Sequence, residues 1–413
     1  MGRVYFVIDM KSFFASVELA ERGLDPYTSN LVVADIERTE KTICLAVSIN
    51  MKKLGVKNRC RLWMVPKNID YIIAKPRMSK YIEYASNIYG LYLNYIDKND
   101  IHVYSIDECF IDVTDYLKLY NMRAKAFATL LMNEIWNKFH IPSTCGIGSN
   151  LYLAKIALDI TAKSSKDRIG WLNEEKFINT LSDYEPITDF WRISEGTKNR
   201  LLKYGIKTQR GIRECNPDIL YKEFGIDAEI LIDHSKGCEP VRMEDIKNYK
   251  SKSKSISSHE ILKENYNKEN AKIILKELVQ NICYRLYENK KVTDSITIMI
   301  GYANGGWTHF TQSYNFRTAI YNFLINDIIE KYDNKVMDID IKRLGASFII
   351  YDMENEYYNL FFDETKIEKE KKLIESIINL KNKYGKNSVL KALDFDSHST
   401  VRERNELIGG HKK

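Results

Sequence analysis

Asp9, Asp107 and Glu108 are the residues whose type and placement point most directly to chemistry. Asp9 closes the apolar run VYFVID, and Asp107 and Glu108 stand side by side in YSIDECFIDVT (104–114), with Asp112 following. Tyr104, Ile106, Phe110, Ile111 and Val113 read as strand. Carboxylates buried in such a segment cost free energy unless a cation or hydrogen-bond donors satisfy them. Successive strand residues point to opposite faces, so Asp107 and Glu108 are expected near a strand end or tight hairpin. If their strands neighbour the one ending at Asp9, three carboxylates converge, repel one another and take up protons. A pair of divalent cations removes that repulsion. Mg²⁺ takes oxygen ligands and shares them with substrate phosphates. Two such ions about 3.5–4 Å apart stabilise the attacking and leaving oxygens of a phosphoryl transfer. A surface hairpin with turn carboxylates, or a lone salt bridge, fits the same residues.

The elements that must position this set alternate between helix and strand. Strands are expected over 4–9, 31–35, 42–49, 101–106, 109–114 and 143–149. Helices are expected over 11–22, 51–55 (closed by Gly55), 81–96, 120–139 and 150–162. This is an α+β unit with an antiparallel-type sheet. Residues 174–235 carry a helical pattern broken at Pro186, Gly196, Gly205, Pro217 and Gly225, and a basic linker follows at 247–255. A second α+β unit spans 252–352: strand, helix 267–289, strands 293–302 and 308–315, helix 317–333, strand 341–351. A linker at 354–366 and a charged helix at 367–385 follow, and the tail, RERNELIGGHKK, is polar.

At 413 residues, several domains are expected. Lys plus Arg exceed Asp plus Glu by 62 to 56, so the distribution of charge matters more than its sum. No apolar run is long enough to span a membrane, and the first strand begins almost at Met1 with no signal peptide before it. The seven cysteines are scattered without a CxxC pair, the pattern of free thiols in a reducing compartment, which points to the cytoplasm.

VYFVIDMKSFFASVE, AVSINMKKLGV, YSIDECFIDVT and CGIGSNLYLAKIALDITAK, in this order, resemble the successive signatures of the Y-family DNA polymerases, the translesion enzymes. The chain as a whole, through RERNELIGGHKK, resembles their bacterial SOS-mutagenesis branch, especially Gram-positive forms. The resemblance implies an α+β multidomain right hand. Its parts would be a ferredoxin-like palm (1–20 and 78–166), small fingers (21–77), a helical thumb (167–240), an α+β little finger (241–353) that holds DNA, and a tail (354–413). It implies low-fidelity, template-directed addition of dNMP to a primer 3′-hydroxyl during damage bypass. Asp9 and Asp107 would hold both catalytic Mg²⁺ ions, with Mn²⁺ able to substitute. Glu108 would hold the ion at the primer terminus, and the Met10 carbonyl would touch the nucleotide-side ion. Asp112 has no metal role in the family and is read as a structural hairpin carboxylate.

Phe14 aligns with the steric gate that excludes a 2′-hydroxyl, though Phe13 and Phe14 also fit a pair of core aromatics on a helix. Lys52 and Lys163 match the lysines that neutralise the triphosphate, and Lys155 reads as a helix-face lysine. Lys163 stands one residue further along than the family spacing. Ile49 replaces the usual phosphate-contacting tyrosine, and Asn58 and Arg59 stand where a small residue is common. In the thumb, Arg192-Ile193-Ser194 replaces the G-x-G turn that offers backbone N–H groups to phosphate.

Lys250, Lys252 and Lys254 alternate with serines and in a strand would share one face along a DNA backbone; a solvated linker is the other reading. Arg242, Lys247 and Arg317 are further DNA candidates. EYYNLFFDE resembles a sliding-clamp-binding peptide, with Tyr357 in place of its leading Gln and Leu360 and Phe361 as anchors; a packed amphipathic strand fits equally. The partners implied are primer–template DNA, dNTP and the clamp, for a monomer without membrane attachment. A nucleotidyl cyclase also places two metals on an α+β sheet but needs no basic DNA-gripping segment. A non-catalytic DNA- or clamp-binding regulator needs no acidic triad.

Overall fold

The structure, a computed structural model, describes residues 2–251, 253–359 and 362–412. The chain divides into two compact units, Met1–Tyr249 and Lys250–Gly410.

The first unit is built on a five-stranded sheet of β1 (Tyr5–Met10), β5 (Ile101–Val103), β6 (Glu108–Asp112), β7 (Ser143–Gly148) and β8 (Ile169–Leu172), in the order β5-β6-β1-β7-β8. Only the β7–β8 pair is parallel. Its apolar residues face α1 (Phe13–Ala20), α3 (Met78–Leu93) and α5 (Ala124–Phe139) through a core that includes Phe6, Ile8, Tyr81, Leu91, Phe127 and Leu131. The helix expected over 120–139 begins at Ala124 as α5; a separate short helix, α4 (Thr114–Leu119), precedes it, with Asn121 between them in a left-handed conformation.

The opposite face takes α6 (Leu151–Ile156), which runs through a π-turn over Ala157–Thr161 into α7 (Ala162–Ser164). Glycines on the sheet make this possible. A Cβ at Gly146 would stand 2.1 Å from the Ala154 carbonyl oxygen, and one at Gly148 2.1 Å from the Ala154 nitrogen. The helix therefore lies directly on β7, closer than any side chain would allow.

Residues 31–74 form a small three-stranded sheet, β2 (Leu31–Val33), β3 (Ala46–Val47) and β4 (Ile72–Ala74), packed with α2 (Ile49–Lys53) around Val32, Val47, Met51 and Leu62. The strand expected over 42–49 is much shorter because the preceding residues bridge to the loop at Arg61. A helical cluster follows: α8 (Glu174–Leu181), α9 (Glu195–Leu202), α10 (Gln209–Glu214), α11 (Pro217–Phe224) and α12 (Asp227–Ser235). Next, α13 (Met243–Asn248) belongs to the first unit: Lys247 Nζ donates to the carbonyls of Lys98 at 2.8 Å and Ile101 at 2.6 Å.

The second unit is a four-stranded antiparallel sheet, β11-β10-β12-β9, of β9 (Ser255–Tyr266), β10 (Lys291–Tyr302), β11 (Trp307–Thr318) and β12 (Ile341–Asp352). One face is covered by α14 (Lys268–Glu288) and α15 (Tyr321–Lys335) around Leu278, Ile298, Leu324 and Phe348. The charged helix of the tail, α16 (Glu364–Tyr384), begins earlier than expected and buries Ile367, Ile374 and Ile378 against Ile320. Beyond it, α17 (Val401–Asn405) is tied back by Arg404, which pairs with Glu260 and with Glu277 at 3.1 Å.

No helix among the described residues is long and apolar enough to cross a membrane. All seven cysteines are free thiols.

Candidate active site

The register of the first sheet brings the acidic residues together. Asp9, near the end of β1, lies directly opposite Glu108 on β6 and Thr144 on β7. Asp107 precedes β6 in the hairpin from β5, and its carbonyl accepts the Met10 N–H at 2.9 Å, fixing the main chain at Met10. The hairpin resolves the alternation problem: Glu108 stays in the ladder while Asp107, outside it, is free to turn the same way. Asp112 lies at the far end of β6, opposite Tyr5, rather than in the hairpin. There it accepts from the N–H of Thr114, the first residue of α4, at 3.0 Å, and pairs with Arg3 at 3.4 Å.

Asp9 is pushed up to about 8, first by burial and then by Asp107 and Glu108, with Lys155 opposing. Burial also raises Glu108, against the pull of Lys155, with Asp159 and Asp107 adding to the rise. Both carboxyls are pushed toward the protonated form, which a bound cation would reverse. Asp107 accepts from Ser105 Oγ at 2.6 Å, and Glu108 Oε2 accepts from Lys155 Nζ at 2.8 Å. Among the described residues no three His, Cys, Asp or Glu side chains stand close enough together to hold a metal ion. Glu108 Oε1 is buried and has no hydrogen-bond partner. An all-oxygen donor set with an orphaned carboxylate oxygen and an elevated aspartate fits a hard divalent ion.

Lys155 corrects an expectation. It is not a solvated helix-face lysine but is 8% exposed, held between Glu108 and Asp159, the latter at 3.2 Å. The close seating of α6 on the glycines turns its position toward the sheet.

The two phenylalanines part company. Phe13 is 3% exposed and belongs to the core, so it offers no surface to a nucleotide. Phe14 is only half-buried and stacks on Tyr81, ring centroids 4.4 Å apart and 15° from parallel. Tyr81 in turn donates to Glu18 at 2.9 Å, and Glu18, fully buried, accepts a two-pronged contact from Arg77 at 2.9 and 3.0 Å. This network holds the ring beneath Phe14 in place.

Cations gather on the same side as Asp9. Lys52, in α2, remains solvent-accessible at its surface, yet the enclosing protein lowers its pKa; Asp9 and Asp107 act to raise it and Lys11 to lower it. Lys163 is exposed in α7. Its extra residue of spacing coincides with the π-turn, which takes up one more residue than an α-turn does.

Sequence reasoning missed Lys11 and Arg168. Burial lowers Lys11, with Arg168, Lys163 and Lys53 acting in the same direction and Asp9 against it. The signal was present, since a residue two beyond Asp9 shares its strand face. Arg168 had none: it precedes Ile169, the register partner of Cys145, so it reaches the sheet row of Asp9 and Thr144 only once β8 has paired. Its guanidinium contacts the Tyr27 hydroxyl and sits 5.6 Å from that ring.

In the helical cluster, Arg192 takes the left-handed conformation (φ 71°) that glycine would favour, and Ser194 caps α9 by accepting from the Thr197 N–H. The turn therefore survives without glycine. Lys250 and Lys254 are exposed and precede β9, which starts at Ser255; the Lys254 carbonyl accepts from the Ile350 N–H of β12 at 2.8 Å. Lys252, Leu360 and Phe361 lie outside the described residues. Arg242 is exposed at the start of α13. Arg317 is not free for phosphate: it pairs with Asp294 at 2.9 Å and lies 3.7 Å over the Tyr351 ring. Tyr357 bridges to Arg317 through the main chain, while its ring is 45% exposed.

Residues 8–159 match the model of the impB/mucB/samB family. The chain is 28% identical over 417 positions to a putative UV-damage repair protein UvrX of Bacillus subtilis (strain 168), covering 98% of this chain and 96% of that protein. It is 27% identical to DNA polymerase IV 2 of the same organism, covering 100% and 99% of the two chains. Among solved structures, the Y-family DNA polymerase chimera Dbh-Dpo4(243-245)-Dbh superposes with a TM-score of 0.64 at 21% identity, over 86% of this chain and 100% of that one, a likeness of fold.

Proposed function

We infer that the chain belongs to the Y-family of DNA polymerases and is a DNA-directed DNA polymerase of the low-fidelity, damage-bypass type. Full-length similarity to bacterial relatives named for UV-damage repair and DNA polymerase IV supports this reading. So does the match over residues 8–159. The observation that carries the chemistry is the pairing of Asp9 with Glu108 beside Asp107, at one end of two interior strands, where burial and mutual repulsion raise Asp9.

In the reaction we assign, primer–template DNA and dNTP are the substrates. Asp9, Asp107 and Glu108, with the Met10 carbonyl, hold two divalent ions, taken to be Mg²⁺. Bound there, such ions neutralise the triphosphate oxygens and acidify the primer 3′-hydroxyl. Phe14 packs under the sugar, so a 2′-hydroxyl collides with its ring. Lys52 and Lys163, joined by Lys11 and Arg168, offer fixed positive charge to the triphosphate and to the departing pyrophosphate. In the domain terms of the family, residues 1–20 and 78–166 would be the palm, 21–77 the fingers, 167–240 the thumb, 241–353 the little finger and 354–413 the tail. Lys250, Lys252, Lys254 and Arg242 would track the DNA backbone, and the segment from Tyr357 through Leu360 and Phe361 would meet the sliding clamp. We take the enzyme to act as a cytoplasmic monomer that joins the nucleoid at damage.

Primer extension on undamaged and abasic templates tests the assignment. Asp107→Ala and Glu108→Ala should each abolish dNMP addition while primer–template affinity changes little. Undiminished extension by either variant would sink it.

A further inference from the structure

We propose that Lys155 is a positioning residue for Glu108: it pins one carboxylate oxygen so that the other is presented, alone and fixed, to the cation at the primer terminus. The inference rests on the metal-binding reading of Asp9, Asp107 and Glu108 given above.

Lys155 and Glu108 are each 8% exposed, and their 2.8 Å contact is made in the interior rather than at the surface. An ion pair kept only for stability would satisfy both carboxylate oxygens, because a buried acceptor without a donor is unfavourable. Glu108 does otherwise. Oε2 is taken by the ammonium, while Oε1 is equally enclosed and has nothing to accept from. The arrangement is therefore complete at one oxygen and open at the other. A terminal carboxylate torsion is broad, so an unpinned glutamate would spread its oxygens over many orientations.

The support is built in depth. Lys155 is itself held by Asp159 at 3.2 Å, and Asp159 lies within the π-turn of Ala157–Thr161. That turn is accommodated by Gly170, where a Cβ would stand 2.2 Å from the Ala157 carbonyl oxygen. One ammonium thus serves two carboxylates, and the group retains negative charge for an incoming cation. This is the outer-shell logic by which a ligand's orientation is set by what it bonds behind the metal.

The competing idea is that Lys155 merely occupies the place of a cation and opposes metal binding. The two ideas predict opposite signs. Mn²⁺ titrated into the full-length protein, with free ion followed by its electron paramagnetic resonance signal, reads affinity without turnover. Under our proposal Lys155→Met weakens the Glu108-dependent Mn²⁺ affinity by about tenfold or more. It also lowers kcat with little change in the KM for dNTP, and Lys155→Arg restores most of both. Because Lys155 acts through Glu108, the pair Lys155→Met with Glu108→Gln is no worse than Glu108→Gln alone. Mn²⁺ affinity that is unchanged or tighter in Lys155→Met overturns the proposal. If Lys155→Met does not fold, Asp159→Asn loosens the lysine without removing its charge and should weaken Mn²⁺ severalfold; no change there overturns the proposal equally. Should Glu108→Gln itself leave both Mn²⁺ binding and extension intact, the metal-site reading fails first.

Discussion

At the scale of single residues, the acidic site is a set of groups held away from their ordinary protonation. In the metal-free protein Asp9 stands at about 8 against an ordinary value of 3.8. The folded chain then binds a proton that the unfolded chain releases across this interval. Stability present below about pH 4 is accordingly lost as pH rises toward 8. Burial moves Glu108 in the same direction. With chelator present, Tm should fall between about pH 5 and pH 8. Mg²⁺ should recover the loss, with a larger gain at the higher pH, and Asp9→Asn should flatten the slope; equal Mg²⁺ gains at both ends would count against this account. Phe14 carries a second prediction. Its half-exposed ring lies on Tyr81, which hydrogen-bonds Glu18, itself bound by Arg77, so the ring rests on a built support. Phe14→Ala should raise the rNTP/dNTP incorporation ratio by about tenfold or more, a contact worth more than 1.4 kcal/mol, measured by single-nucleotide extension. An unchanged ratio removes the gate.

At the scale of elements, the seat of α6 on β7 decides whether Lys155 reaches Glu108 at all. Gly146→Ala would place a Cβ 2.1 Å from the Ala154 carbonyl oxygen and 2.4 Å from the Leu158 nitrogen, both backbone atoms that cannot turn aside. The helix must lift, at a cost of about 3 kcal/mol. Urea unfolding should record the loss, and extension should fall even where the variant is fully folded; wild-type stability would show that the helix has room the geometry does not reveal. The same element marks the limit of what the sequence discloses. That Asp9 and Glu108 stand opposite one another was suggested by an apolar strand ending in a carboxylate, which is costly and therefore informative, and by the ordered motifs around both residues. The long strands and helices of the second unit were legible because their periodicity is strong. Lys155 was misread, since its partner is 47 positions away and only the glycine-seated helix brings the two together. The short strands at 46–47 and 72–74 were obscured because local propensity there yields to loop bridges such as Ile43 with Arg61. The alternating lysines of 250–254 allowed a strand or a linker, and β9 itself starts at Ser255, opposite Ile349 of β12, with the Lys254 carbonyl bonded to Ile350.

At the scale of the whole molecule, the distribution of charge separates chemistry from grip. The second unit carries helices on one face of its sheet and leaves the other open. On that open face Thr311, Thr297, Ser347 and Ser257 stand in one register row, neutral and small, with Thr297 and Thr311 sharing a 2.9 Å hydrogen bond. Two rows further along the same face, beyond the row of His309 and His259, Arg343 lies over Trp307 and adds a charge. Such a surface can lie close to a nucleic-acid backbone without sequence preference, but it releases few counterions. The salt-dependent part of DNA affinity must then come largely from the exposed lysines that lead into the unit. The double variant Lys250→Gln, Lys254→Gln should weaken primer–template binding at low salt. It should also reduce the slope of log K against log salt by about 2, since each neutralised phosphate contributes about 0.9. Thr297→Val should leave that slope untouched. Saturating DNA should restore the turnover of the lysine variant, because the acidic site belongs to the other unit and its geometry does not depend on these side chains. A slope that survives the loss of both lysines would move the electrostatic footprint elsewhere, with Arg242 and the helical cluster of the first unit as the next segments to neutralise.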